Sequence, residues 1–165
     1  MRTIIHDLKN DLSNNILFDE KDFVIDSLKC NKNCIGCFSC WVKHPKRCAL
    51  SDDYSNIVDY LKESDELILI SKCRYGCYSS SVKRVLERCI GYVLPYFVIR
   101  NNEIHHESRY DKTIKLSVYF YGDITCEDKE CINKLVKANA INLNAIEYKV
   151  RYFKDEMELI ECIRL

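Results

Sequence analysis

Cysteine is the residue type with the most chemical reach in this chain. Five of the eleven cysteines fall within nineteen residues, in the run Cys30-Asn-Lys-Asn-Cys34-Ile-Gly-Cys37-Phe-Ser-Cys40-Trp-Val-Lys-His-Pro-Lys-Arg-Cys48. Thiolates this close can share a soft metal centre, form a disulfide, or pack as small apolar residues. Cys34-x2-Cys37-x2-Cys40 places three thiolates on one tight loop, as a [4Fe–4S] cluster requires, and Cys48 can supply the fourth ligand after seven further residues. Three other readings stay open: a four-cysteine zinc site using Cys30 or Cys48, a redox disulfide, and a reduced structural loop. A second group of chemically useful residues lies at Lys72-Cys73-Arg74-Tyr75-Gly76-Cys77-Tyr78-Ser79.

Such loops need elements to hold them. Thr3 to Asp7, Asp22 to Leu28, Ile114 to Tyr121 and Ala145 to Tyr152 read as strands. Glu66 to Ser71 is a continuous aliphatic run of the buried parallel type. Between them lie helical stripes. One follows Ser51-Asp52-Asp53, with Ile57, Val58 and Leu61 on a face. A second opens at Ser79 and carries Val82, Val85, Leu86, Cys89 and Ile90. Further helices are read over Glu127 to Asn142 and Asp155 to Arg164, with a weaker short one from Asn10 to Glu20. Strand alternating with helix implies right-handed βαβ crossovers. The expected fold is therefore α/β and flavodoxin-like: one domain over residues 1–165, with a doubly wound five-stranded parallel sheet in the order 2-1-3-4-5. Tyr96 to His106, turning at Asn101-Asn102, is expected as a small hairpin before the fourth strand.

Composition excludes several classes. Lys plus Arg equals Asp plus Glu, 25 against 25, so the basic excess of a nucleic-acid binder is missing. No apolar run approaches the ~20 residues of a membrane span. The N-terminus meets a charge after two apolar residues and does not read as a signal peptide. A cytoplasmic location is expected, where structural disulfides are rare, and an odd cysteine count fits a disulfide framework poorly.

In this architecture ligands bind beyond the carboxyl ends of the strands. The loops predicted there begin at Asp7, at the cysteine run, at Lys72 and at Gly122-Asp123-Ile124-Thr125. Gly76 and Gly122 would let backbone approach a flat ligand. The Ser79 helix start would offer N–H groups to an anion.

Cys34-x-Gly36-Cys37-x-x-Cys40-Trp41-x-x-x-Pro45-x-x-Cys48-x-x-x-Asp52-Asp53 resembles the NAD(P)H-dependent FMN reductases of the flavodoxin superfamily, most closely their iron–sulfur flavoprotein branch. Ser64 to Ser71, Tyr75-Gly76, and Lys83 with Glu87-Arg88 are similar to the family's strand, flavin loop and following helix. The resemblance implies an electron-transfer flavoprotein or oxidoreductase. Its FMN would be touched by Ser13, Asn14, Arg74, Tyr75, Gly76, Cys77, Gly122 and Asp123, and a [4Fe–4S] cluster could sit on Cys34, Cys37, Cys40 and Cys48. A nicotinamide nucleotide or a redox carrier protein would be its partner, and it would form a homo-oligomer. The chain departs from the family at its phosphate loop. No glycine occurs in Asp7-Leu8-Lys9-Asn10-Asp11-Leu12-Ser13-Asn14-Asn15, so Lys9, Asn10, Ser13 and Asn14 would have to substitute. The rival expectation is a flavodoxin-fold protein that has lost its flavin and serves as a metal- or thiol-based sensor or scaffold.

Among the remaining residues, Cys73 and Cys77 read as packing near a helix start. Cys89, Cys126, Cys131 and Cys162 read as buried small residues. Trp41 covers a cofactor or anchors the long loop. His105 and His106, adjacent on a strand, point to opposite faces and read as surface residues.

Overall fold

The computed structural model describes residues 1–9, 19–100 and 102–163. Its centre is a five-stranded sheet of β1 (Arg2–His6), β2 (Phe23–Asp26), β3 (Glu66–Lys72), β6 (Ile114–Tyr121) and β7 (Ala145–Phe153), in the order β2-β1-β3-β6-β7. Every pairing in it is parallel, with Ile4 beside both Val24 and Ile68, and Leu69 beside Val118. Numbered among the sheet strands alone, this is the expected 2-1-3-4-5. The other two strands, β4 (Val93–Arg100) and β5 (Glu103–Ser108), form the antiparallel hairpin.

β3 shows why the sheet is covered twice. Leu67 and Leu69 enter one core, with Ile5, Leu116, Val118 and Phe120. Ile68 and Ile70 enter the other, with Ile4, Leu8, Tyr119 and Tyr121. A continuous aliphatic run is what a strand buried on both faces needs. The first core is closed by α2 (Ile57–Glu63), α3 (Ser80–Glu87) and α4 (Cys126–Asn142), and the second by α5 (Glu156–Cys162) through Leu159. A single turn, α1 (Ser39–Val42), lies within the cysteine run.

The helices start where short polar side chains satisfy free N–H groups. Ser79 accepts from the Val82 N–H ahead of α3. Thr125 and Asp128 form a reciprocal capping box at α4. Asp155 accepts from Met157 and Glu158 at α5.

Two sequence expectations change. The second strand is shorter than Asp22 to Leu28, because Asp26 caps a 3₁₀ turn over Ser27–Lys29 by accepting the Leu28 N–H. Cys126, Cys131 and Cys162 are exposed rather than buried. The stripe of α4 that meets the core is Ile132, Val136 and Ala140, and Cys126 and Cys131 lie off it; Cys162 ends α5, whose buried residue is Leu159. Cys89 and Cys73 are buried as expected. The short helix read from Asn10 to Glu20 lies mostly outside the described residues, as do Ser13, Asn14 and Asn101.

Candidate functional site

The winding reverses between β1 and β3, so the switch point lies where the loops after these two strands leave the carboxyl edge. Asp7 joins them. Its carboxylate accepts the Lys72 N–H at 3.0 and 3.1 Å and the Tyr121 hydroxyl at 2.9 Å, while its own N–H donates to the Ile70 carbonyl. Burial pushes the Asp7 pKa up against the pull of these hydrogen bonds. Burial also raises the Tyr121 pKa, and the neighbouring Asp7 adds to the effect, so the phenol stays a donor. Sequence reasoning counted Asp7 as part of a phosphate loop. The structure makes it an internal strut, visible only once the register of β1, β3 and β6 is known.

The loop after β3 is a tight reversal. Arg74 and Cys77 exchange both backbone hydrogen bonds, at 2.9 and 3.0 Å. Tyr75 and Gly76 between them take φ of 53° and 67°, as a type I′ turn demands. Gly76 faces α4, where an added Cβ would lie 2.7 Å from the Cys131 Cβ. Its backbone therefore docks on a helix on that side, while Tyr75 at the turn's tip is 100% exposed. Lys72, Arg74 and Asp123 are also exposed, and the Lys72 stem passes beside Gly122. Cys77 packs against the core. The N–H groups expected at the Ser79 helix start are partly taken: that of Ser79 donates to Ser71 Oγ, and that of Val82 to Ser79. Arg74, Tyr75, Gly76, Cys77, Gly122 and Asp123 thus share one edge, with the cations and the aromatic ring presented outward.

The cysteine run does not stay at that edge. After Ser27, whose hydroxyl meets Ser81 at the start of α3, the chain runs back along that helix. Arg84 donates to the Asn33 side chain and the Cys30 carbonyl. Arg88, at the end of α3, forks onto Asp52 at 2.8 and 2.5 Å and reaches Cys30 Sγ at 3.7 Å. Gly91 then abuts Cys40 and Lys46. Trp41 donates its indole N–H to the Ile90 and Val93 carbonyls, both at 3.0 Å, and so anchors the loop. The helix that follows a parallel strand returns to the sheet's amino edge, so the thiols end opposite the loops at Lys72 and Gly122. A loop leaving the carboxyl end of β2 was expected beside them; its length and the Arg84 and Arg88 contacts carry it across.

Cys34, Cys37, Cys40 and Cys48 line one cavity there, of about 590 Å³. Burial raises the Cys40 thiol pKa, and the nearness of Cys48, Cys34 and Cys37 raises it further. Among the described residues no three His, Cys, Asp or Glu side chains lie close enough to hold a metal ion. The four thiols thus share a wall without closing on a common centre. His106, expected at the surface, is half-buried in the same wall and sits between Trp41 and Phe97, tilted to both rings, with centroids 4.9 and 5.0 Å away. His105 bonds the Asn142 side chain and Glu103. No helix of the described residues is long and apolar enough to cross a membrane.

No protein-family model matches the chain, and no curated protein does. Solved structures do. An NADH:FMN oxidoreductase in its apo form aligns at a TM-score of 0.57 and 10% identity, over 98% of this chain and 79% of its own. An FMN-dependent NADH-azoreductase from Bacillus anthracis aligns at 0.54 and 12%, over 92% and 85%. The azoreductase AzrA aligns at 0.57 and 11%, over 97% and 93%. Identities this low speak for backbone architecture. The sequence resemblance, the parallel sheet in 2-1-3-4-5 order and these neighbours agree on a flavodoxin-like fold.

Proposed function

We propose that this chain is an FMN-dependent oxidoreductase drawing reducing equivalents from a nicotinamide nucleotide. The observation that carries the reading is the switch point itself. A tight turn there presents Tyr75 without any intramolecular cover, on the same loop as the exposed cations Lys72 and Arg74. These residues suit a flat, anionic cofactor: a ring face to stack on and positive charge for a phosphate. When bound, FMN supplies hydride acceptance and the ability to pass on one or two electrons. The protein's part is to place it. Asp7 and Tyr121 hold the two loops in register, and the Tyr75-Gly76 turn fixes the stacking face. Gly76, Cys77 and Gly122 would contribute backbone, and Asp123 a polar rim. Ser13 and Asn14 are the proposed phosphate contacts, with Lys9 in support. Self-association belongs to the same reading: Phe97, Ile99 and Ile104 of the hairpin are 71–73% exposed.

No step is assigned to an iron–sulfur cluster. The shared cavity wall of Cys34, Cys37, Cys40 and Cys48 favours one, and the lack of a metal-holding group among the described residues speaks against it. An anaerobic iron and sulfide assay finding neither element would end that idea. The second reading, a flavin-free sensor or scaffold, is favoured by the glycine-free segment after β1. Anaerobic purification, a visible spectrum and an FMN titration separate the two. Flavin bands that bleach with NADH or NADPH support the oxidoreductase, and a colourless protein that takes up no FMN refutes it. Tyr75→Ala should leave the fold intact and weaken FMN binding about 3- to 10-fold, as loss of one aromatic stack does.

A further inference from the structure

The cavity at the amino edge has no part in the flavin reading, and it is built like a ligand site. Its ≈ 590 Å³ falls within the range that takes small organic molecules. Much of its wall is aliphatic, including Leu61, Leu67, Leu69, Leu86 and Val93. Phe38 and His106 line it, as members of a continuous aromatic series Phe38–Trp41–His106–Phe97 with centroids 4.9–5.1 Å apart.

Two polar groups on this wall are incomplete. Arg88 is 2% exposed. Its guanidinium is engaged by Asp52, Cys30 and Cys48, yet its Nε–H is buried and makes no hydrogen bond of normal geometry among the described residues. His106 Nδ1 is likewise buried without a partner. A buried donor left unmade is costly and calls for an explanation. A ligand oxygen supplies one.

We propose that this cavity binds a planar aromatic compound bearing carbonyl oxygen, of two or three fused rings, at a site separate from the flavin edge. The ligand's rings would pack on Phe38 and against the edge of His106, the aliphatic walls would desolvate them, and Arg88 Nε–H would donate to the carbonyl. The thiols of Cys34, Cys40 and Cys48 would be covered by the occupant. The site does not depend on whether FMN binds, because it lies across the sheet from Lys72 and Gly122.

The probe is anthraquinone-2-sulfonate, whose substituted ring system resists addition of thiols, without any nicotinamide present. Anthracene-2-sulfonate is the same tricycle lacking the carbonyl oxygens. The quinone is expected to bind saturably at one equivalent, and the anthracene about tenfold more weakly, the range of one buried hydrogen bond. Bound quinone should slow alkylation of Cys34, Cys40 and Cys48, mapped by mass spectrometry, and leave exposed Cys126 and Cys162 unchanged. Ala49→Trp, which fills the cavity from its exposed lining, should weaken binding at least tenfold while the circular dichroism spectrum and melting midpoint stay as in the parent. If that variant misfolds, His106→Ala provides the same test by removing an imidazole that lines the cavity. Absence of saturable binding, equal binding of the two tricycles, unchanged thiol protection, or displacement of the probe by FMN would each overturn the proposal.

Discussion

Replacing Asp52 by Ala tests how the cysteine loop is tied to the fold. The Arg88 side chain is 0% exposed and that of Asp52 17%, and two charge-assisted hydrogen bonds of 2.8 and 2.5 Å join them. Burial works to lower the Arg88 pKa, but Asp52 and Cys48 outweigh it and hold it above its ordinary value. Removing Asp52 strands a guanidinium that cannot lose its proton. Breaking a buried pair in this way costs about 3–5 kcal/mol. The partial exposure of Asp52 admits some water, so about 3 kcal/mol is the figure to expect. With a urea m-value of about 2 kcal/mol/M, the unfolding midpoint should fall by about 1.5 M. The assay is equilibrium unfolding followed by circular dichroism. Asp52→Ala combined with Arg88→Met removes both charges and should recover to within about 1 kcal/mol of the parent, since apolar replacement of a buried pair is often neutral. A single-variant loss below 1 kcal/mol, or a double variant as damaged as the single, would refute the account of Arg88 as the buried tie of this loop.

Other outcomes follow from the same structure. Burial lowers the His6 pKa below its ordinary 6.5, so the folded state resists protonation that the unfolded chain accepts. Stability should therefore hold above pH 6.5 and decline as pH falls through and below it. His6→Gln should flatten that decline in thermal melts taken across pH 5 to 8, values chosen to bracket the ordinary histidine range. Gly76→Ala forces a Cβ into the left-handed region and to 2.7 Å from Cys131 Cβ. The conformational part alone costs about 1–2 kcal/mol, or a fall of roughly 2–8 °C in Tm for a chain of this size. An unchanged Tm would contradict the turn geometry. In native alkylation, the exposed thiols Cys37, Cys126, Cys131 and Cys162 should react first. Cys89 should react only on unfolding, because burial pushes its pKa up to about 12. Early labelling of Cys89 would mean that the end of α3 is misplaced.

What the sequence carried by itself was local and periodic. The aliphatic run 66–71 could only satisfy a strand buried on both faces. Ser79 and Asp155 marked helix starts because their short side chains reach free backbone donors. The alternation of the two element types then selected a doubly wound sheet. Long-range placement was not legible. Whether Asp7 meets a ligand or an internal hydroxyl depends on the register that brings Tyr121 and Lys72 to it. Whether a helix cysteine such as Cys131 is buried depends on which stripe of α4 faces the sheet. The cysteine run is the clearest case. Its spacing declared that thiols would be neighbours, since residues a few positions apart on a loop must be. The edge of the sheet they occupy was decided by Arg84, Arg88 and Gly91, residues 40 and more positions away, whose contacts draw the loop along α3 to a cavity that no spacing in the chain describes.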